Sequence, residues 1–197
     1  MKKLLLVIPG LVIAGPAAAH SVSARFGEIY SGMLHPVTTL LHLVPWIAMG
    51  LLAGCLGPKE ARRALVGFPA SVAAGALVAP MLPELPWVSF VNMCSFIALG
   101  ALVVVSRGIS STLFWTCLVV FGVSHGYANN DALLVGWGLA RYVLGLTIAA
   151  YVVITLVSAV STQLLGQQVW GRVAIRAAGS WIVAIGVVFS GYTLMAL

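Results

Sequence analysis

"GMLHPVTTLLHLVPW", residues 32–46, sets His35 and His42 seven positions apart in a run otherwise suited to apolar surroundings. Taken as one helix, seven steps of 100° fall about 20° short of two full turns, so both rings project from one face, about 10 Å apart along the axis. Pro36 stands in the first turn, where a missing amide proton costs little. Pro45 predicts a kink just below His42 that frees a carbonyl of the turn above. Ionisable groups in an apolar helix usually face a partner, a cavity or a pathway, so the question is what the two rings share.

Outward from this stretch the chain stays apolar. Of 197 residues, 61% are hydrophobic and 7% charged, too little polar surface to cover a water-soluble globule. The expected fold class is all-α, a polytopic membrane helix bundle. Gly-, Pro- and charge-rich connections divide it into six transmembrane helices near 34–54, 64–82, 86–105, 111–129, 131–160 and 171–195, each close to the roughly 20 residues that cross a bilayer. Upstream, Lys2 and Lys3, an apolar run from Leu4 to about Ala14, and Ala17 and Ala19 in A-x-A register predict a cleavable signal peptide over 1–19. The mature six-span domain, 20–197, then starts at His20.

A formal charge of +6 fits a nucleic-acid binder only if the cations form a patch, and here they are scattered between apolar blocks. They set orientation instead. Lys59, Arg62 and Arg63, then Arg107, then Arg172 and Arg176 fall on alternate connections, whereas the others carry Glu84 and Asp131. Excess Lys and Arg mark the cytoplasmic side, so both mature termini are expected in the periplasm of a bacterial inner membrane. His35, His42 and His125, the last in "FGVSHGYANND", then gather near the outer leaflet. A single such histidine more often bonds across a helix interface, a contact worth about 1 kcal/mol. Three at one depth on two helices favour a metal or proton path, because neutral imidazole suits nickel, cobalt, copper and zinc.

Other residues carry smaller expectations. Arg141 should pair with Asp131 or Glu84 in a structural role. Asn92 should hydrogen-bond across helices, and Cys55, Cys94 and Cys117, isolated and without C-x-x-C spacing, should be free thiols. Gly50 and Gly54 form G-x-x-x-G, which in a chain with 21 glycines is expected by chance. Trp46, Trp87, Trp115, Trp137, Trp170 and Tyr127 read as interfacial anchors. Residues 122–126 match G-x-S-x-G, whose serine works only where a strand-to-helix turn exposes it. With no strand before it, an intramembrane serine hydrolase using Ser124 with His35 or His42 is a remote alternative, and no enzyme is expected. No phosphate-binding loop occurs, so no nucleotide drives this chain alone.

"HPVTTLLH" in the first span and "SHGYAN" in a later one, behind a signal peptide ending before His, resemble the HupE/UreJ family of membrane proteins encoded with hydrogenase and urease systems. Against that family's H-P-x-x-G-x-D-H pattern, His35, Pro36 and His42 match, while Thr39 replaces Gly and Leu41 replaces Asp. Against its H-G-x-x-H-G pattern, His125 and Gly126 match, and Tyr127 to Asn130 lack the further histidine. The resemblance implies a passive nickel or cobalt permease whose motif histidines and aspartate bind the ion. It implies no permanently bound cofactor; the partners are lipid, the ion and metallocentre-assembly proteins. A divalent ion held by neutral imidazoles alone keeps its charge in a low dielectric, so with Leu41 at the aspartate position an anion is expected from Asp131 or Glu84. Thr38, Thr39, Asn129 and Asn130 are further oxygen donors. The expected metal set is therefore His35, His42, His125 and Asp131. The alternative is a non-transporting accessory subunit of metalloenzyme maturation.

Overall fold

The computed structural model describes residues 27–167 and 169–195; the expected signal peptide and His20 lie outside them. Among the described residues the regular structure is helical: α1 (Glu28–Thr38), α2 (Leu40–Cys55), α3 (Pro58–Val78) with a 3-10 turn at Ala79–Met81, α4 (Trp87–Val105), α5 (Ser111–Ala128), α6 (Gly136–Gln167) and α7 (Val169–Met195). Starts are set locally. Gly57 at φ 99 turns the chain into Pro58, the first residue of α3, and the Ser110 hydroxyl accepts from Leu113 N at 3.1 Å to cap α5.

The stretch expected as one straight first span is two helices. Thr39 is extended (φ −102, ψ 106), and α1 and α2 are bent 78° from each other there. The break therefore precedes Pro45, through which α2 runs on. Pro36 and Pro45 deprive the carbonyls of Gly32 and Leu41 of their i+4 donors, so the chain on either side of Thr39 is short of ladder bonds. Other bonds flank the break: Thr38 Oγ1 donates to Leu34 O at 2.8 Å, and His42 N and Leu43 N donate to Thr39 O at 2.9 and 3.0 Å, restarting the helix.

Among the described residues, four helices (α3, α4, α6 and α7) suit a membrane crossing by length and apolarity, or five if the bent pair α1–α2 is one broken span. The 18-residue α5, with Ser124, His125 and Tyr127 near its end, is not among them. The expected loop carrying Arg172 and Arg176 is helical instead: α6 reaches Gln167 and α7 begins at Val169.

Close backbone approaches order the bundle. A Cβ on Gly50 would lie 2.8 Å from Val157 Cβ, and one on Gly54 2.7 Å from Ser158 O, so the G-x-x-x-G pair is a real α2–α6 contact rather than a chance match. Gly75 and Gly126 do the same between α3 and α5. These registers make α2 parallel to α6 and α3 parallel to α5; Gly100 facing Gly179, with Gly186 facing Phe96, makes α4 antiparallel to α7. Glu60 Oε1 accepts from Ser111 Oγ at 2.9 Å and pairs with Arg63 at 3.3 Å, tying the starts of α3 and α5 together. Lys59, Arg62, Arg63, Arg107, Arg172 and Arg176 thus collect at one end of the bundle, and the histidines at the other.

Trp46 is not an interfacial anchor. It is fully buried and packs edge-on against Phe68. Cys55, Cys94 and Cys117 are free thiols, as expected. Arg141 pairs with Glu28 Oε2 at 3.7 Å, not with Asp131 or Glu84, because α6 starts only at Gly136 and its second turn lies beside the start of α1. More than half of the arginine side chain is exposed, which limits the pair to about 1 kcal/mol or less. We expect Arg141→Ala to change unfolding free energy in micelles by under about 1 kcal/mol, with the difference shrinking in high salt. A loss several times larger would show a desolvated pair.

Candidate functional site

The break at Thr39 decides the geometry around the first two histidines. His35 ends α1, His42 opens α2, and the bend brings their ring centroids to 6.1 Å, where a straight helix would hold them about 10 Å apart. His125, in the last turn of α5, comes from the other side: its Nδ1 is 2.9 Å from His42 Nδ1, with the rings near-perpendicular at 82°. His125 is completely buried and His42 nearly so. His35 is partly exposed, on the outward side of the pair.

Neighbouring helices hold His125 in place. Gly126, against the backbone of Val72, lets α5 lie directly on α3. From α4, Ser95 Oγ meets His125 Nε2 at 2.9 Å, and the Asn92 side chain takes the Ser124 hydroxyl at 2.7 Å, the cross-helix bond expected of it. Asn129 Nδ2 donates to His125 O at 2.7 Å, and Tyr142 OH on α6 donates to Asn129 O at 2.8 Å. Neither Ser95 nor Tyr142 stood out in the sequence. A serine three residues after a buried asparagine in an apolar span was the available signal for the first.

The oxygen donors behave differently. Asp131 Oδ1 accepts from Leu133 N at 3.1 Å, folding the carboxylate onto its own loop, and Glu84 is exposed in the α3–α4 connection. The Asn129 and Asn130 Oδ1 atoms are buried without a hydrogen-bond partner among the described residues. No three histidine, cysteine or acidic side chains among those residues converge as a finished metal cage. The arrangement is a contacting imidazole pair with a third ring beside it. Ser124 lies inside a continuous helix with its hydroxyl bonded to Asn92, and the serine that meets a histidine is Ser95.

Among the described residues, charge favours cations at this end. Glu28, Glu84 and Asp131, three of the four acidic residues, lie on the histidine side, and Arg141 there is offset by Glu28. Beneath the pair, Trp46, Met49, Leu52, Phe96 and Leu118 are fully buried and form a floor that is apolar except for Trp46 Nε1, a buried donor without a hydrogen-bond partner among the described residues.

A separation of 2.9 Å between two ring nitrogens has two chemical readings. It is a hydrogen bond if one ring donates and the other accepts. It is also the spacing of two nitrogens about 2.05 Å from one ion and at right angles to each other, shorter than the roughly 3.3 Å of a tetrahedral pair. The second state needs both Nδ1 atoms bare and both rings turned so that their lone pairs converge on the ion.

A family model described as "HupE / UreJ protein" matches residues 7–189. No curated protein and no solved structure is a significant match to the chain.

Proposed function

Because the chain belongs to the HupE/UreJ family, we propose that it admits a divalent nickel or cobalt ion from the periplasm through the His35–His42–His125 site. The observation that carries this reading is the His42–His125 nitrogen pair at 2.9 Å, assembled across a broken helix. Discontinuous membrane helices place polar backbone and ligands where a cavity must bind an ion. Neutral imidazole nitrogens are ligands that nickel and cobalt accept. His35, on the outward side, receives the hydrated ion. His42 and His125 replace part of its water shell, and the outer carboxylates raise its local concentration. The ion is cargo, and the chain needs neither a resident cofactor nor an enzymatic step.

Six crossings fit this reading. The bent pair counts as one broken span, and α5 as another because it lies parallel to α3 along most of its length despite its polar end. The cationic end then faces the cytoplasm and the mature termini face the periplasm, behind a signal peptide over 1–19.

Two observations favour a second reading. The apolar floor under the pair closes the inward route, and Leu41 stands where the family pattern has an acid, as in an accessory subunit that kept the fold and a binding site without transport. Uptake of radioactive nickel by cells lacking their own importers separates the two. Native protein should raise uptake clearly over an empty vector, and the double variant His35→Ala, His42→Ala should return it to background. Equal uptake with and without native protein favours the accessory role.

A further inference from the structure

The hydroxyl of Ser95 has one proton and two neighbours. Asn92 O, a carbonyl that can only accept, lies at 2.5 Å, and His125 Nε2 lies at 2.9 Å. The proton goes to the carbonyl, so the hydroxyl oxygen meets the ring as an acceptor and His125 must donate from Nε2. In the neutral ring, the form that binds metals, this leaves Nδ1 with a bare lone pair. That lone pair points at His42 Nδ1. The same turn of α4 also holds Ser124, the residue before His125, through the Asn92 side chain at 2.7 Å, so ring and backbone are set from one place.

We propose that Ser95 is the positioning residue of the site: its hydroxyl, held by Asn92 O, fixes His125 in the Nε2–H tautomer and turns the Nδ1 lone pair toward the cargo. It touches no ion itself. Acceptors that hold the outer N–H of a metal-binding histidine set ring orientation and ligand basicity, and losing one costs about 10- to 100-fold in metal affinity. The inference rests on the permease reading for the identity of the cargo, but the tautomer assignment stands on the hydrogen bonds alone.

The test uses full-length protein in lipid nanodiscs with 15N-labelled histidine, the His125 resonances being identified by their loss in His125→Gln. Native protein and Ser95→Thr should show His125 protonated at Nε2 and bare at Nδ1, with equal nickel affinity by calorimetry. Ser95→Ala, a smaller side chain that introduces no collision, should show mixed tautomers and about 10- to 100-fold weaker nickel binding. The proposal is overturned if Ser95→Ala keeps the single Nε2–H tautomer, if it binds nickel like native protein, or if Ser95→Thr behaves as Ser95→Ala. Should native protein bind no nickel, the permease reading fails, and the 15N spectra still decide the role of Ser95.

Discussion

His125→Gln should lower nickel affinity at least about 100-fold in protein purified into nanodiscs. A structural zinc site is worth about 10–16 kcal/mol over four ligands, so one nitrogen contributes roughly 3 kcal/mol, and each 1.4 kcal/mol is tenfold. The effect should be large here because the finished arrangement is a pair: with His125 gone, His42 keeps one nitrogen and, among the described histidines, His35, 6.1 Å away between ring centres, remains to assist. Glutamine keeps a polar group beside Ser95, so the helix content and melting profile should stay close to native, which separates ligand loss from misfolding. Calorimetry with nickel checks the expectation; native-like affinity in a folded His125→Gln protein would mean that the pair is a hydrogen bond between helices and nothing more.

The second large effect belongs to a residue with no side chain. A Cβ on Gly126 would overlap the backbone carbonyl of Val72, and backbone cannot rotate aside as a flexible side chain can. Gly126→Leu must therefore push α5 off α3, and we expect a loss of about 3 kcal/mol or more in unfolding from mixed micelles, the upper end for overpacking. It should also weaken nickel binding, because His125 is the preceding residue and its contact with Ser95 depends on where α5 lies. Gly166→Ala is the control. Nothing lies within 4 Å of that position in α6, so the added methyl should leave stability unchanged or raise it by up to about 1 kcal/mol. Equal effects at the two glycines would show that helix propensity, not interhelical contact, governs both.

Gly126 shows how a motif residue divides between roles. In the sequence it matched a family pattern beside a histidine and invited a functional reading. In the bundle it is a packing residue, and function reaches it only through His125. Gly50 and Gly54 moved the same way, from an expected coincidence to an α2–α6 contact. Arg141 found Glu28 because helix starts, not sequence proximity, decide which charges meet. In each case the missing information was which helix lies alongside, and a run of mostly apolar residues carries almost no record of its neighbour.

The amino-acid order by itself determined the solvent class, the helical character, the charge asymmetry between the two ends and the gathering of three histidines at the less basic one. These follow from composition and from loop charge, properties that add up residue by residue along the chain. Tertiary structure alone decided that the first span breaks at Thr39, that His42 meets His125 rather than only sharing a stripe with His35, and that Ser95 accepts from His125. A 78° turn at one residue depends on where lost backbone bonds find new partners. A nitrogen pair at 2.9 Å depends on two helices approaching through glycine, and both are interactions between distant parts of the chain that no local pattern encodes.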